Sequence, residues 1–363
     1  HNAGSATNAL IEWDAFKVYI RGICIKTSTG VRSTLLTQIA KLELELRQLE
    51  IRAVQDPLAR PLLTQRRRDH GDLCTQMAKH DHKMYLTTRF EEGDRAGRAL
   101  AHLLRTEHAH TPLTAITHPA GHTVYRQTEI AQVFKTFYEQ LYTRRTDLSD
   151  TSATDLVRVL PKVALTTDES RDMNGPITAA EIATALSQLA TGKTPGNDGL
   201  PAEFFKCYAE DLALHMVGMF AAAWEQGELS SSSREATIVL LPKKDNDLSG
   251  CGAYRPLSIL NLDCRILGKI IANRLLPYVS GLIHPDQSGF IPGRSTAANV
   301  RRLFHVIHGT PSSSKHAVAI SLDMEKAFDS LSWPFLFHVL RHVGLGAGIR
   351  KWIQILYTGP SAR

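Results

Sequence analysis

Asp323 directly follows the apolar run Ala317-Val-Ala-Ile-Ser-Leu322. That run lacks the polar alternation of a half-wet strand, so it predicts a strand buried on both faces of a sheet. A carboxylate at the end of such a strand is a common divalent-metal ligand, because the sheet fixes the oxygen while the ion faces solvent. Such a residue also caps helices, so Asp323 alone decides nothing. Two shorter apolar runs upstream carry basic residues at their ends: Ala236–Leu241 leads into Pro242-Lys243-Lys244, and Arg255 opens Arg255–Leu260. Ammonium and guanidinium groups beside a metal-holding carboxylate make a phosphate-handling cleft. Other metal chemistry finds little support. His108 and His110 have no third ligand at helical or turn spacing. The five cysteines (Cys24, Cys74, Cys207, Cys251, Cys264) are odd in number, scattered and without a C-x-x-C pair, which argues against a disulfide framework or a thiolate zinc site.

The elements that must position these residues are mostly helical. A chain of 363 residues, 43% apolar and 21% charged, has an ordinary globular balance and room for two or three compact units. The excess of 42 Lys+Arg over 36 Asp+Glu gives +6, a mild bias toward an anionic partner that suits nucleic acid. No apolar run approaches the ~20 residues that cross a bilayer, and the N-terminus has no basic-then-apolar leader. The expectation is a soluble intracellular protein with no membrane partner, cut from something longer, since the chain opens on His1.

From Trp13 to about Gln55 the spacing is helical, with Leu35, Ile39, Leu42, Leu46 and Leu49 forming an a/d seam. At about two heptads the seam fits a helix packed on its own domain better than a dimeric coiled coil. Pro57 and Pro61 end it, and a second helical stretch opens at Arg66-Arg67-Arg68 and runs through Met77 to Leu104. His108 to His122 reads as a loop or short hairpin, helical spacing resumes over Ile130–Leu141, and Thr143–Asp155 is a polar candidate linker. Thr178 with Glu181 forms a capping box, Ile177 and Ile182 the hydrophobic staple, and Gly192 the left-handed C-cap of the next helix. Lys193-Thr-Pro-Gly-Asn-Asp-Gly199 is too rich in turn formers to be helix or strand and leads into a helix through Phe204, Tyr208, Val217, Phe220 and Trp224. After the two short strands comes an amphipathic helix with Leu267, Ile270, Ile271 and Leu275 inward and Lys269, Asn273 and Arg274 outward. Ser288–Arg294 is a Gly/Pro loop. Beyond Asp323, one helix buries Leu336, Val339, Leu340 and Val343 and the last buries Ile349, Trp352, Ile353 and Leu356.

Against this background Ile320-Ser-Leu-Asp-Met-Glu-Lys-Ala-Phe-Asp329 resembles the first catalytic motif of the reverse transcriptases of non-LTR (LINE-type) retrotransposons. Tyr254-Arg-Pro-Leu-Ser258 with Ile270-Ile-Ala-Asn-Arg-Leu275 resembles their fingers motif and the helix after it. Asp286-Gln-Ser-Gly-Phe-Ile-Pro-Gly-Arg294 resembles the following loop, and Lys193–Gly199 the fingers extension before them. The resemblance runs from about Pro176 to Arg363. Trp13–Gly22 and Arg89–Asp94 are similar, more loosely, to the helical connection between endonuclease and polymerase.

This resemblance implies in-line phosphoryl transfer with two Mg²⁺ ions. Asp323 would be the first metal-bridging carboxylate and Phe328 the aromatic under the sugar that excludes a 2′-hydroxyl. Arg255 with Lys243 or Lys244 would clamp the incoming triphosphate. Lys193, Lys269, Arg274 and Arg294 would contact template or primer phosphates, which position without reading sequence. The family's remaining metal carboxylates lie in an aromatic-x-Asp-Asp turn, and this sequence holds no Asp-Asp pair. Mg²⁺ usually takes at least two carboxylates with phosphates and water, so Asp323 alone should bind it poorly.

The expected architecture is α+β and mostly helical: a helical N-terminal region, then the fingers and a truncated palm of a right-hand polymerase. The expected divisions are a helical connector at 1–142, a linker at 143–175, fingers at 176–315 and partial palm at 316–363. The implied function is that of a fragment of an RNA-directed DNA polymerase for target-primed reverse transcription, inactive in isolation. Its partners would be an RNA template, a DNA primer and deoxynucleotide triphosphates, in a ribonucleoprotein of nucleus and cytoplasm. Self-association would run through the N-terminal helix or an exposed palm edge. The alternative is a non-catalytic nucleic-acid-binding or scaffolding remnant.

Overall fold

The computed structural model describes residues 8–92, 113–143, 150–158, 165–243, 247–309, 320–324 and 326–363. It is mostly helical with a few short strands, as the patterning predicts. Helix α1 (Ala9–Gln55) starts at Asn8, whose side chain accepts the Leu10 N–H at 2.9 Å. A single 3₁₀ turn at Pro57–Ala59 reverses the chain into α2 (Arg60–Glu92). Ion pairs Arg67–Glu50 at 2.8 Å and Arg66–Glu45 at 3.6 Å, with His70 Nε2 3.6 Å from Glu43, join the start of α2 to the end of α1, so the pair is an antiparallel hairpin. The leucine seam of α1 is half-buried along its length and α2 packs on α1. This is the intramolecular outcome expected of so short a seam. The second helix begins six residues before Arg66, since proline is tolerated in a first helical turn.

A small hairpin, β1 (Ile116–Thr117) with β2 (Thr123–Val124), precedes α3 (Gln127–Thr143). Two further helices, α4 (Asp150–Arg158) and α5 (Thr167–Asp172), occupy part of the stretch expected as linker; α5 carries its own capping box, Thr166 with Glu169. Helix α6 (Ala179–Gln188) has the predicted capping box, with Thr178 N donating to Glu181 at 3.0 Å and Glu181 N to Thr178 Oγ1 at 3.3 Å. Gly192 takes a left-handed φ of +67°, yet the helix stops at Gln188, so this glycine turns the following loop rather than capping the helix. Helices α7 (Ala202–Cys207) and α8 (Ala209–Gln226), the short α9 (Ser231–Arg234), and strands β3 (Glu235–Pro242) and β4 (Tyr254–Leu260) follow. The strands pair antiparallel from Ala236 opposite Leu260 to Pro242 opposite Tyr254. Then come α10 (Leu262–Leu282), α11 (Thr296–Gly309), α12 (Trp333–His342) and α13 (Ala347–Tyr357). Last is β5 (Ser361–Ala362), which adds parallel to β3 to complete the order β4-β3-β5. Neither β5 nor α11 was expected.

The main core joins α1, α6, α7, α8, α10 and α13 around Trp13, Ile182, Phe205, Met216, Phe220, Ile266 and Ile349. Each fully buried side chain of this size contributes about 1.5–3 kcal/mol. A second core sets Ile116, Ile130, Phe134 and Tyr138 against Cys251, Ala253 and Tyr254. Residues before 143 contribute to both cores. The strand expected to end at Leu322 is not found in its described part. Residues 320–324 have no ladder partner, with Ile320 77% and Leu322 87% exposed, and 317–319 lie outside the described residues. Apolarity states a need for burial, but a strand forms only where another strand meets it, and among the described residues none does.

Candidate functional site

The β3–β4 hairpin sets Arg255 opposite Leu241, one position inside the Pro242–Tyr254 pair that ends the ladder. Arg255 is exposed and Lys243 half-buried, and the Lys243 backbone N–H donates to Ala253 O at 2.8 Å. Both basic residues thus sit at one end of the hairpin; Lys244 lies outside the described residues. The segment after Asp323 packs on the second core, at the Tyr254 face of β4, the face opposite Arg255. Lys326 Nζ lies 4.3 Å from the Phe137 ring centre and 5.7 Å from that of Tyr138, and Phe134 meets Tyr254 edge-on at 5.3 Å. Tyr142 donates its hydroxyl to Asp329, and burial together with the Asp329 charge raises its pKa; burial, with Tyr142 and Asp329 beside it, pushes Tyr138 up to about 12.

Asp323 itself is exposed, and so is Phe328, whose ring meets Phe290 edge-on at 5.8 Å. Two of the three carboxylates nearest in sequence are engaged elsewhere. Asp329 accepts from Tyr142, Asp286 pairs with Arg302, and Glu325 is outside the described residues. Among the described residues no three His, Cys, Asp or Glu side chains converge as metal ligands. The described donor set therefore does not fit a Mg²⁺ pair.

Of the four residues expected on nucleic-acid phosphates, two are built into the fold. Arg274 spends all five of its N–H groups internally: Nε on Glu181 Oε1 at 2.6 Å, Nη1 on the carbonyls of Met173 (3.1 Å) and Gly175 (2.7 Å), and Nη2 on Pro176 O (2.7 Å) and Glu181 Oε2 (2.9 Å). It ties α10 to the start of α6, the reverse of the outward placement expected. Arg294 donates from Nη1 to His284 O (2.6 Å) and Gln287 O (2.9 Å), and from Nη2 to Ser280 O and Ile283 O (both 3.0 Å). It satisfies carbonyls left over at the C-terminus of α10. A guanidinium is drawn to clustered carbonyls as readily as to phosphate, and sequence does not separate the two. Lys193 is exposed and Lys269 half-buried.

The most connected polar cluster is one the sequence reading did not find. Asp263, 1% exposed, accepts on Oδ2 from Trp13 Nε1 (2.8 Å), Lys17 Nζ (2.7 Å) and Ser233 Oγ (2.7 Å), and on Oδ1 from Cys264 N (2.7 Å). Burial alone would lower the Lys17 pKa, but the Asp263 and Asp14 charges outweigh it and the net shift is upward. Asp14 is likewise held low, its burial overcome by Ser232, Ser230 and Lys17. One turn further along α1, Arg21 Nη1 donates to Asn197 O at 3.1 Å. Asn261 then closes the cluster: its Oδ1 accepts Asp198 N at 3.2 Å and its Nδ2 donates to Ser232 O at 2.8 Å. A Cβ on Gly196 would fall 2.1 Å from Asn261 Oδ1, so the loop needs glycine there. Burial, then the nearby Asp263 charge, raises Asp198 to about 6. The available signal was Trp13, Lys17 and Arg21 at i, i+4 and i+8, one face of one helix.

Residues 241–362, which include the hairpin end, Asp323 and Phe328, match the family Reverse transcriptase (RNA-dependent DNA polymerase). Over 350 residues the chain is 27% identical to the Transposon TX1 uncharacterized 149 kDa protein of Xenopus laevis, covering 95% of this chain and 26% of that protein. It is 25% identical over 233 residues to the RNA-directed DNA polymerase from mobile element jockey of Drosophila funebris, covering 63% of this chain and 25% of that one. With the Pol polyprotein from the type-2 retrotransposable element R2DM of Drosophila melanogaster it shares 27% over 178 residues, 48% of this chain and 16% of the other. The chain thus carries reverse-transcriptase sequence. These relatives are proteins of non-LTR retrotransposons, and the chain spans about a quarter of the length of the first two. No helix among the described residues is long and apolar enough to cross a membrane.

Proposed function

We propose that the chain forms the fingers and the first palm motif of an RNA-directed DNA polymerase, and that it binds an RNA template paired with a DNA primer. The observation that carries this reading is the placing of Lys243 and Arg255 together at one end of the β3–β4 hairpin, within sequence that matches the reverse-transcriptase family. In it Arg255 and Lys243, with Lys244, take the triphosphate of an incoming deoxynucleotide, the fork bidentate and the ammonium groups as point charges. Phe328 lies beneath the sugar, where a 2′-hydroxyl would meet the ring. Lys193 and Lys269 contact backbone phosphates. Asp323 is the first metal ligand; the divalent metal that reverse transcriptases use, Mg²⁺ in this reading, would supply nucleophile activation and charge neutralisation once further carboxylates join it. The ribonucleoprotein setting, in nucleus and cytoplasm, belongs to the same proposal.

A second reading has its own observation. Asp329 and Asp286 are committed to Tyr142 and Arg302, which favours a chain that by itself holds nucleic acid without catalysing synthesis. Both readings require binding to an RNA–DNA hybrid that weakens with salt, log Kobs falling by about 0.7–0.9 per phosphate neutralised for each unit of log salt. Fluorescence anisotropy over a salt series measures it, and binding indifferent to salt would overturn both.

A further inference from the structure

Helix α1 carries a second heptad seam, on the face turned away from the core. Ile11, Ala15, Val18, Gly22, Ile25 and Thr29 follow one another at alternating steps of four and three residues, the a/d spacing of a coiled coil. Trp13, Phe16 and Ile20, on the opposite side of the helix, go into the main core. The outward seam has no such cover: all six residues are exposed, Ile11 at 61%, Val18 at 72% and Ile25 at 53%. It begins with the helix, at the Asn8 cap, and stops at Arg32, the next position of the repeat. The half-buried leucine seam from Leu35 to Leu49 lies further along the helix, where α2 packs.

Large and small residues alternate along the outward seam, with Ile, Val and Ile at one heptad position and Ala, Gly and Thr at the other. Two copies of such a helix, antiparallel about a two-fold axis, bring Ile11 against Thr29, Ala15 against Ile25 and Val18 against Gly22 of the second copy. Each large side chain then meets a small one, and the same patch serves both copies, as an isologous interface requires. A Cβ added at Gly22 would have nothing within 4 Å, so this glycine faces open space in the single chain.

Charge along the edge fits the same arrangement. Glu12, Tyr19 and Lys26 recur every seven residues on one side of the seam. Antiparallel pairing sets Tyr19 near its own copy at the axis and Glu12 across from Lys26 of the second copy, twice by symmetry. On the other edge Arg21 is already turned to the Asn197 carbonyl, at 3.1 Å. Parallel pairing would instead set glycine against glycine and bring Arg21 rather than Glu12 to Lys26.

We propose that the outward seam of α1 pairs with that of a second copy of this chain, forming an antiparallel two-fold dimer. Two helices touching over about 27 Å bury less than the ~1,200 Å² of a stable specific interface, so the dimer is weak and concentration-dependent. It stands independently of the polymerase reading.

Sedimentation velocity on the full chain, from low to high micromolar concentration, tests it. Wild type should pass from monomer to dimer as concentration rises, and added salt should weaken the association. Gly22→Leu has room in the single chain and raises helix propensity. It should keep the wild-type circular dichroism while weakening association by about 5- to 150-fold, the range for overpacking a close contact. Lys26→Glu should weaken association by about 2- to 30-fold through the loss of two exposed ion pairs, and adding Glu12→Lys to it should restore the wild-type level. A chain that stays monomeric throughout overturns the proposal. So does a dimer that a folded Gly22→Leu leaves unchanged, or one that is indifferent to Lys26→Glu or not restored by the exchange. Should Gly22→Leu fail to fold, the charge exchange decides alone.

Discussion

Lys17 on α1 and Asp263 at the start of α10 are 2.7 Å apart, 2% and 1% exposed, and separated by 246 residues of sequence. A buried charge is tolerated only when paired and hydrogen-bonded. Here Trp13 and Ser233 share the same carboxylate oxygen. The base of the long N-terminal hairpin is thereby fastened into the helices and loop of the region that resembles the fingers. Whatever the distal part of that hairpin does, its root is part of the unit that carries the candidate site.

Removing one partner of a fully buried pair leaves the other charge stranded, at a cost of about 3–5 kcal/mol. Lys17→Met should lower unfolding stability in urea by that order, and Asp263→Leu likewise. The double variant should lose clearly less than the sum, because each single change includes the penalty of the orphan. Additive losses would mean that the two side chains are not coupled in solution.

Asp198 supplies a pH signature. Its folded pKa, about 6, lies above the ~3.9 of an unfolded aspartate, so the folded state holds the proton more tightly. Its contribution is favourable below about pH 4 and is lost as pH rises through about 6, leaving at neutral pH a penalty of roughly 3 kcal/mol from two pKa units. Asp198→Asn should therefore raise Tm relative to wild type at pH 7.5, and the gain should shrink toward pH 5. A variant equally stabilised or destabilised at both pH values would show that the carboxyl is not titrating as described.

Arg255 tests the triphosphate assignment separately from duplex binding. Replacing a bidentate phosphate contact removes a charge-assisted hydrogen bond worth about 1.5–3 kcal/mol, so Arg255→Ala should weaken deoxynucleotide triphosphate binding by about 10- to 150-fold. Affinity for an RNA–DNA hybrid should change little. Equal loss of both ligands would make Arg255 a general electrostatic or structural residue.

Local rules carried the reading wherever an element answers to its own residues. The Thr178–Glu181 capping box, the β3–β4 hairpin, the inward face Leu267, Ile270 and Ile271 of α10, and the intramolecular use of the leucine seam all follow from spacing or capping within a few positions. What failed depends on partners far away. Arg274 and Arg294 look solvent-directed until the carbonyls of 173–176 and of 280–287 are folded against them. The Trp13–Lys17–Asp263 cluster needs two segments more than 200 residues apart, which helical periodicity cannot pair. The run ending at Leu322 has a strand's composition, but composition does not supply a neighbouring strand.

Catalysis is the most demanding of these tests. In-line phosphoryl transfer with two metals needs several carboxylates at one point. Asp323 is exposed with no converging set of three metal-ligating side chains among the described residues, and Asp329 and Asp286 are held by Tyr142 and Arg302. Purified alone, the chain should not extend a DNA primer on an RNA template with either Mg²⁺ or Mn²⁺, even under conditions where it binds the hybrid. Asp323→Ala is the control, and it should be indistinguishable from wild type in that assay. Template-dependent synthesis that Asp323→Ala abolishes would show that a second carboxylate reaches Asp323 when substrate is bound. Asp329→Asn, Asp286→Asn and Glu325→Gln would then identify it: the true ligand's variant should lose synthesis as completely as Asp323→Ala, and the other two should retain it.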